Sequence, residues 1–285
     1  MMIIDSHVHL FSLKIIENVT RKKELVKRLS LQAKGATDRL GVNALSRSMQ
    51  TTGVAAGLIL PTAGPLDVAR VNEAFLEKAA DTAFLHTAGT LHPDYPSNMA
   101  ELEKLHRQGV KGIKLCSFSQ GFVLDAMPAL ALFDLIQRHN QKNGHRFFVV
   151  LDTFYLADQF FGTDPAFTTT PAKLCALVRR YPEINFIGAH MGGLGAPFEK
   201  TLRHLIPSDN LYLDTSNAAH TLTPDQFVEL LKRFGPEQIL FGTDWPWFVH
   251  EEEVARIEAL TAAAGFGSKE KAAVFYTNVA ALLEI

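Results

Sequence analysis

Short apolar runs alternate with longer amphipathic stretches along the chain, and this alternation constrains the fold more than any other feature. Eight runs stand out: Met2–Asp5, Ala55–Leu60, Phe84–Thr90, Val110–Leu115, Phe147–Asp152, Asn185–His190, Leu211–Thr215 and Gln238–Gly242. Each is short and nearly continuously apolar, the pattern of a parallel strand covered on both faces. Between them lie helix-like stretches at Asp67–Ala80, Ser97–Gln108, Ala129–Asn143, Pro171–Arg180 and Thr223–Phe234. Ser97 and the Thr223-Pro224-Asp225 run carry helix-start chemistry, and Gly109, Gly144 and Gly235 stand where helices should stop. This order predicts an α/β fold of parallel strands with helical returns. Eight repeats favour a closed (β/α)8 TIM barrel over an open doubly wound sheet. The first connection also lacks the Gly-x-Gly-x-x-Gly turn of a dinucleotide-binding fold.

The 285 residues suit one barrel domain over 1–285, interrupted by an insertion at about 11–50. That stretch is too long for a simple turn and is expected to form a helical cap after strand 1. Its basic residues, Arg21-Lys22-Lys23 and Lys27-Arg28, read as a solvated helix face. A second long connection, Phe154–Thr170, is rich in aromatics and suggests another wall of a pocket for a ring-bearing or flat compound.

A formal net charge of -2 offers no basic field for nucleic acid or acidic lipid. No apolar run approaches the roughly 20 residues of a membrane helix. Cys116 and Cys175 form no metal or disulfide spacing, so reduced thiols and a cytoplasmic setting are expected. No secretory signal is apparent. The expected partner is a small-molecule substrate, and a homo-oligomer is left open.

Polar residues at the C-terminal ends of barrel strands converge on one mouth, so chemistry is sought there. Strand 1 ends Asp5-Ser6-His7-Val8-His9; residues two apart share a face, so His7 and His9 point together and suit one divalent ion. His190 follows strand 6 ahead of paired glycines, and Asp244 follows strand 8. Asp244 could equally cap the next helix, and His7 and His9 could lie on a surface loop.

Taken together, these segments resemble the amidohydrolase superfamily, in the amidohydrolase-related branch of metal-dependent hydrolases and aminocarboxymuconate-semialdehyde decarboxylase. The resemblance rests on Ile4-Asp5-Ser6-His7-Val8-His9, Gly112-Ile113-Lys114-Leu115, Phe186-Ile187-Gly188-Ala189-His190-Met191-Gly192-Gly193 and Ile239-Leu240-Phe241-Gly242-Thr243-Asp244-Trp245-Pro246. The tail Tyr276–Leu283 resembles the family's closing helix. The resemblance implies a (β/α)8 barrel with His7, His9 and Asp244 as metal ligands and His190 as a ligand or an acid/base group. The expected metal is zinc, with manganese or iron as alternatives.

The departure is on strand 5, where the family's histidine is replaced by Asp152. Asp152 is read either as a substitute metal ligand or as the partner of Lys114, with a weaker metal site or none in the second case. For Lys114, pairing with Asp152 ranks first, contact with a substrate carboxylate next and carbamylation last. Trp245, Trp247, Phe248 and Ser216 are candidate substrate contacts. His92 and His220 are read as surface histidines, and His86, His106, His139, His145, His204 and His250 receive no role. The reaction expected is hydrolysis of an ester, lactone or amide through metal-activated water, with Asp244 as base and His190 as oxyanion stabiliser or acid. The alternatives are a decarboxylase of the same branch, a metal-independent lactonase, and a barrel that binds a small molecule without turning it over.

Overall fold

The computed structural model describes residues 2–144 and 146–285, so His145 lies outside the described residues. Among the described residues nine strands form: β1 (Ile3–Val8), β2 (Val54–Ile59), β3 (Leu85–Thr87), β4 (Gly89–Thr90), β5 (Gly112–Leu115), β6 (Phe148–Leu151), β7 (Phe186–Gly188), β8 (Leu211–Asp214) and β9 (Ile239–Leu240). All neighbours pair in parallel, in the orders β1-β2-β3 and β4-β5-β6-β7-β8-β9. Each of the eight expected runs overlaps a strand; β1 continues past the expected Asp5 to Val8, β2 starts one residue early at Val54, and the third run is split at Ala88. The Thr87 hydroxyl donates to the Ala88 carbonyl at 2.8 Å, a local bond that competes with the ladder.

The two ends of the strand array meet along β1. Ser6 N donates to Phe241 O at 2.8 Å, Asp244 N to His7 O at 3.0 Å and His9 N to Trp245 O at 2.8 Å. A parallel bridge joins Val8 to Trp245. The stretch running on from β9 to Trp245 is therefore laid beside β1, and the strand ends bearing His7, His9 and Asp244 are brought together.

Inside the strand array, Ile4, Leu58, Phe148, Val150, Ile187 and Leu240 pack with Val279, Ala280, Leu282 and Leu283 of the terminal helix Asn278–Leu283. That helix plugs the end away from the site, as the resemblance of the tail implied. The larger apolar cluster lies between strands and outer helices. Pro224–Phe234 shows how sequence sets such a helix: Thr223 and Gln226 form a reciprocal capping box, Pro224 occupies the first turn, and Phe227, Leu230, Leu231 and Phe234 fall on one buried face. At Asn98–Arg107 the expected cap residue Ser97 holds the position without a side-chain bond.

The expected insertion contains two different parts. Helix Gly41–Thr52 packs against β2 and helix His250–Ala263, as an outer barrel helix does. The preceding residues form helices Leu13–Thr20 and Lys23–Arg28, whose Ile16, Val19 and Leu25, with Leu29 just beyond, pack with Phe154, Ala157, Trp247 and Phe248. The caps from both long connections thus share one apolar cluster over the mouth. Arg21, Lys23, Lys27 and Arg28 are exposed, as a solvated face requires.

Candidate active site

The chemistry-bearing strand ends converge. His7 Nδ1 lies 2.8 Å from Asp214 Oδ2, and His9 Nδ1 lies 3.2 Å from Leu60 O. A carboxylate and a carbonyl only accept, so each contact places the ring proton on Nδ1. Both Nε2 atoms are then lone-pair acceptors, and they face one another at 3.0 Å. Asp244 Oδ1 completes the group, 3.5 Å from His9 Nε2 and 4.0 Å from His7 Nε2. Three acceptors without a donor between them are mutually repulsive unless a cation or proton joins them. Their ligand atoms lie within 4.8 Å of one another, and two imidazoles with a carboxylate are a common donor set for zinc or manganese. The residues fit a divalent ion.

A second group, His7, His190 and Asp214, is equally compact but serves a different end. Asp214 spends one oxygen on His7 and accepts from the His190 backbone N–H at 2.9 Å and from the Ser216 hydroxyl with the other. It is an orienting carboxylate behind the His7 imidazole, an arrangement that fixes tautomer and ring direction. Asp214 was missed in the sequence, although it ends an apolar strand just as Asp244 follows one.

Asp152 belongs to neither group. Its Oδ2 lies 3.7 Å from His190 Nε2 and 3.9 Å from Lys114 Nζ, so it faces two cationic partners. His190 Nδ1 sits 2.9 Å from Ser216 O, leaving Nε2 directed to Asp152. Burial disfavours charge on His190, but Asp152, Asp244 and Asp214 outweigh it and raise its pKa to about 9. Against the opposing effect of burial, His190 and Lys114 hold Asp152 well below the usual carboxylate range. Burial lowers both His7 and His9, which favours the neutral imidazole that a metal would require. Burial also pushes Asp244 up to about 7, with Asp152 and Asp214 adding to the rise and His190 and Lys114 opposing it.

A cavity of about 380 Å³ opens beside these groups. His9, Lys114, Asp152, His190 and Asp244 line its floor, and Phe11, Phe118, Phe154, Phe161 and Trp247 line its walls. Phe11 stacks on His9 at 4.5 Å between ring centroids. Of the other expected substrate contacts, Trp247 reaches the cavity, but Trp245, Phe248 and Ser216 do not. Trp245 lies in the outer core beside His250, Phe248 stacks on His220, and the Ser216 hydroxyl is taken up by Asp214 and His190. Successive residues after a strand end diverge, so nearness in sequence to Asp244 did not bring all three aromatics to the pocket. His92 is buried rather than on the surface, bonding Gln120 O at 3.0 Å, and His220 is largely buried against Glu253 at 2.7 Å.

Backbone strain marks the same place. Among described non-glycine residues with positive φ, His190, Met191, Asn217 and Asp244 all lie here, at φ 56, 52, 55 and 64. Such conformations cost roughly 1–3 kcal/mol each and persist where the surroundings impose them.

The chain matches the amidohydrolase family over residues 4–285 and belongs to that family. No curated protein matches it. Among solved structures it resembles an uncharacterised TIM-barrel protein from Bordetella bronchiseptica, at 15% identity and a TM-score of 0.75, covering 100% of this chain and 99% of that one. It also resembles a dihydroxybenzoic acid decarboxylase from Polaromonas sp. JS666 with bound manganese and the inhibitor 2-nitroresorcinol, at 16% identity and a TM-score of 0.71, covering 99% and 96%. A third likeness is to 5-carboxyvanillate decarboxylase from Novosphingobium aromaticivorans, complexed with manganese and 4-hydroxy-3-methoxy-5-nitrobenzoic acid, at 16% identity and a TM-score of 0.69, covering 100% and 96%. These likenesses establish the α/β barrel. No helix among the described residues is long and apolar enough to cross a membrane.

Proposed function

We propose that the chain is a divalent-metal-dependent decarboxylase of a small, flat carboxylate, held in the cavity between the cap and the strand ends. The observation that carries this reading is the placement of two cationic groups, His190 and Lys114, around Asp152 in an aromatic-walled cavity. Decarboxylation needs a proton delivered to carbon, whereas hydrolysis begins by withdrawing one from water. Asp152, following β6 where the family has a histidine, favours the first, because it keeps His190 charged and able to donate. The manganese-bound decarboxylases of similar fold support the same choice over the hydrolase expected from the resemblance alone.

In this reading His7, His9 and Asp244 would hold the ion, whose positive charge would polarise a bound substrate. Zinc and manganese both suit the donor set. Lys114 draws the substrate carboxylate to the cavity floor, and the aromatic walls exclude water around it. His190 Nε2–H gives its proton to the carbon bearing the carboxylate, which takes it with a pair from the substrate's π system; the carbon–carbon bond then breaks, its electron pair restores that π system, and CO2 leaves. Asn217 Nδ2, 3.5 Å from Asp244 Oδ2, steadies the oxygen turned away from the imidazoles.

Hydrolysis of an ester, lactone or amide is the second reading, favoured by one observation: a buried Asp244 with a pKa of about 7 is well matched to accept a proton from water. Incubating the manganese-loaded protein with panels of aryl carboxylates and of lactones in deuterated water separates the two. The proposal predicts CO2 in equal amount to consumed carboxylate, with deuterium on the vacated carbon. Ring-opened or cleaved carboxylate without CO2 would replace it with the hydrolase.

A further inference from the structure

The seam between β1 and the stretch following β9 contains a buried carboxylate that the site does not use. Asp5 is fully buried and lies outside the cavity lining. Its Oδ1 accepts from His7 N at 2.9 Å and from Thr243 N at 3.0 Å, and its Oδ2 accepts from the Thr243 hydroxyl at 2.5 Å. Thr243 Oγ1 accepts in turn from Trp245 N at 3.0 Å. One side chain therefore ties the backbone of one proposed ligand, His7, to the residues on both sides of another, Asp244.

Two further residues bear on the same seam. A Cβ on Gly242 would stand 2.9 Å from His7 Cβ and 3.2 Å from Ser6 Oγ, so only glycine lets the strands approach this closely. His250, the first residue of helix His250–Ala263, sets its Nε2 3.1 Å from Asp5 Oδ2, an electrostatic contact rather than an aligned hydrogen bond. Its Nδ1 lies 2.8 Å from Ser48 Oγ on helix Gly41–Thr52, which backs the carboxylate with two outer helices.

We infer that Asp5, Gly242 and His250 are positioning residues that fix the separation of His7 from Asp244 and so tune the metal site from outside the cavity. This rests on the metal-binding reading above. Burying a carboxylate costs several kcal/mol, and apolar replacements of buried charge networks are often as stable, so stability alone does not account for a charged knot here. Metal ligands must be held within about 0.5 Å of their working positions. Asp244, at φ 64, has a backbone that returns to a commoner conformation if released.

The test uses metal-stripped full-length protein and four variants: Asp5→Asn, Gly242→Ala, His250→Leu and His250→Gln. Mn2+ affinity is measured by competition with a chromophoric chelator, coordination by the absorption spectrum of bound Co2+, and folding by the melting temperature without metal. Asp5→Asn, Gly242→Ala and His250→Leu are expected to weaken Mn2+ binding by about tenfold or more and to alter the Co2+ spectrum. His250→Gln, which restores an N–H toward Asp5, should recover most of the affinity lost in His250→Leu. Variants with lowered melting temperatures but wild-type Mn2+ affinity and Co2+ spectra would overturn the inference, leaving the seam merely structural. Should Asp5→Asn fail to fold, the comparison of His250→Leu with His250→Gln decides alone. Wild-type protein that binds no Mn2+ would instead overturn the metal-binding reading, and this inference with it.

Discussion

At the residue scale the account turns on which groups accept, which donate and which are charged. His190 presents Nε2 to Asp152 rather than to the acceptor group of His7, His9 and Asp244. His190→Asn should therefore lower kcat by about a hundred- to ten-thousand-fold while leaving Mn2+ affinity near wild type; a matching loss of metal would make His190 a ligand instead. The Asp244 carboxyl, raised to about 7 by burial, is mostly protonated below that pH and must lose its proton to bind a cation. Mn2+ affinity should then fall by about tenfold per pH unit below 7 and level off above it, measured by titration from pH 6 to pH 8. A flat profile would contradict the assignment. His7, His9, His190 and Asp244 were legible because each follows an apolar run. Asp214 was not, because it was absorbed into the strand it ends. Asp5 and His250 were not, because their partners are 238 and 202 residues away, at Thr243 and Ser48.

At the element scale, periodicity located the barrel helices and strands, and failed where a local bond or a turn intervened. The third strand breaks at Ala88, where the Thr87 hydroxyl bonds the carbonyl, and the basic residues read as one helix face fall partly between two helices, Arg21 and Lys22 lying between Leu13–Thr20 and Lys23–Arg28. The cap's position over the mouth was legible from its length, but its fastening was not. Gln32 accepts from Val249 N at 3.2 Å and donates through its backbone to Trp247 O at 3.2 Å, while Arg39 Nε donates to Pro246 O at 2.7 Å. These bonds fasten the cap to the segment that follows Asp244 and contains the cavity-wall residue Trp247. Arg39→Ala should raise KM and speed limited proteolysis within residues 11–40, with the melting temperature falling by no more than about 2–4 °C. Unchanged proteolysis and KM would show that the cap is held by its apolar cluster alone.

At the scale of the whole molecule, parallel strands bring residues from opposite ends of the chain to one rim, and the terminal helix closes the other end. The family match over residues 4–285 and the barrel agree with the alternation seen in the sequence. The reaction was less legible, because hydrolysis and decarboxylation draw on the same strand-end residues. The proposed choice of decarboxylation rests on the contacts made by Asp152, which depend on side-chain directions that a linear pattern does not encode. The central claim is that His7, His9 and Asp244 form one cation site. Isothermal titration of metal-stripped full-length protein with Mn2+ tests it directly. The account predicts saturable binding of about one ion per chain, lost when His9→Leu and Asp244→Asn are combined; no saturable binding, or undiminished binding in the double variant, would contradict it.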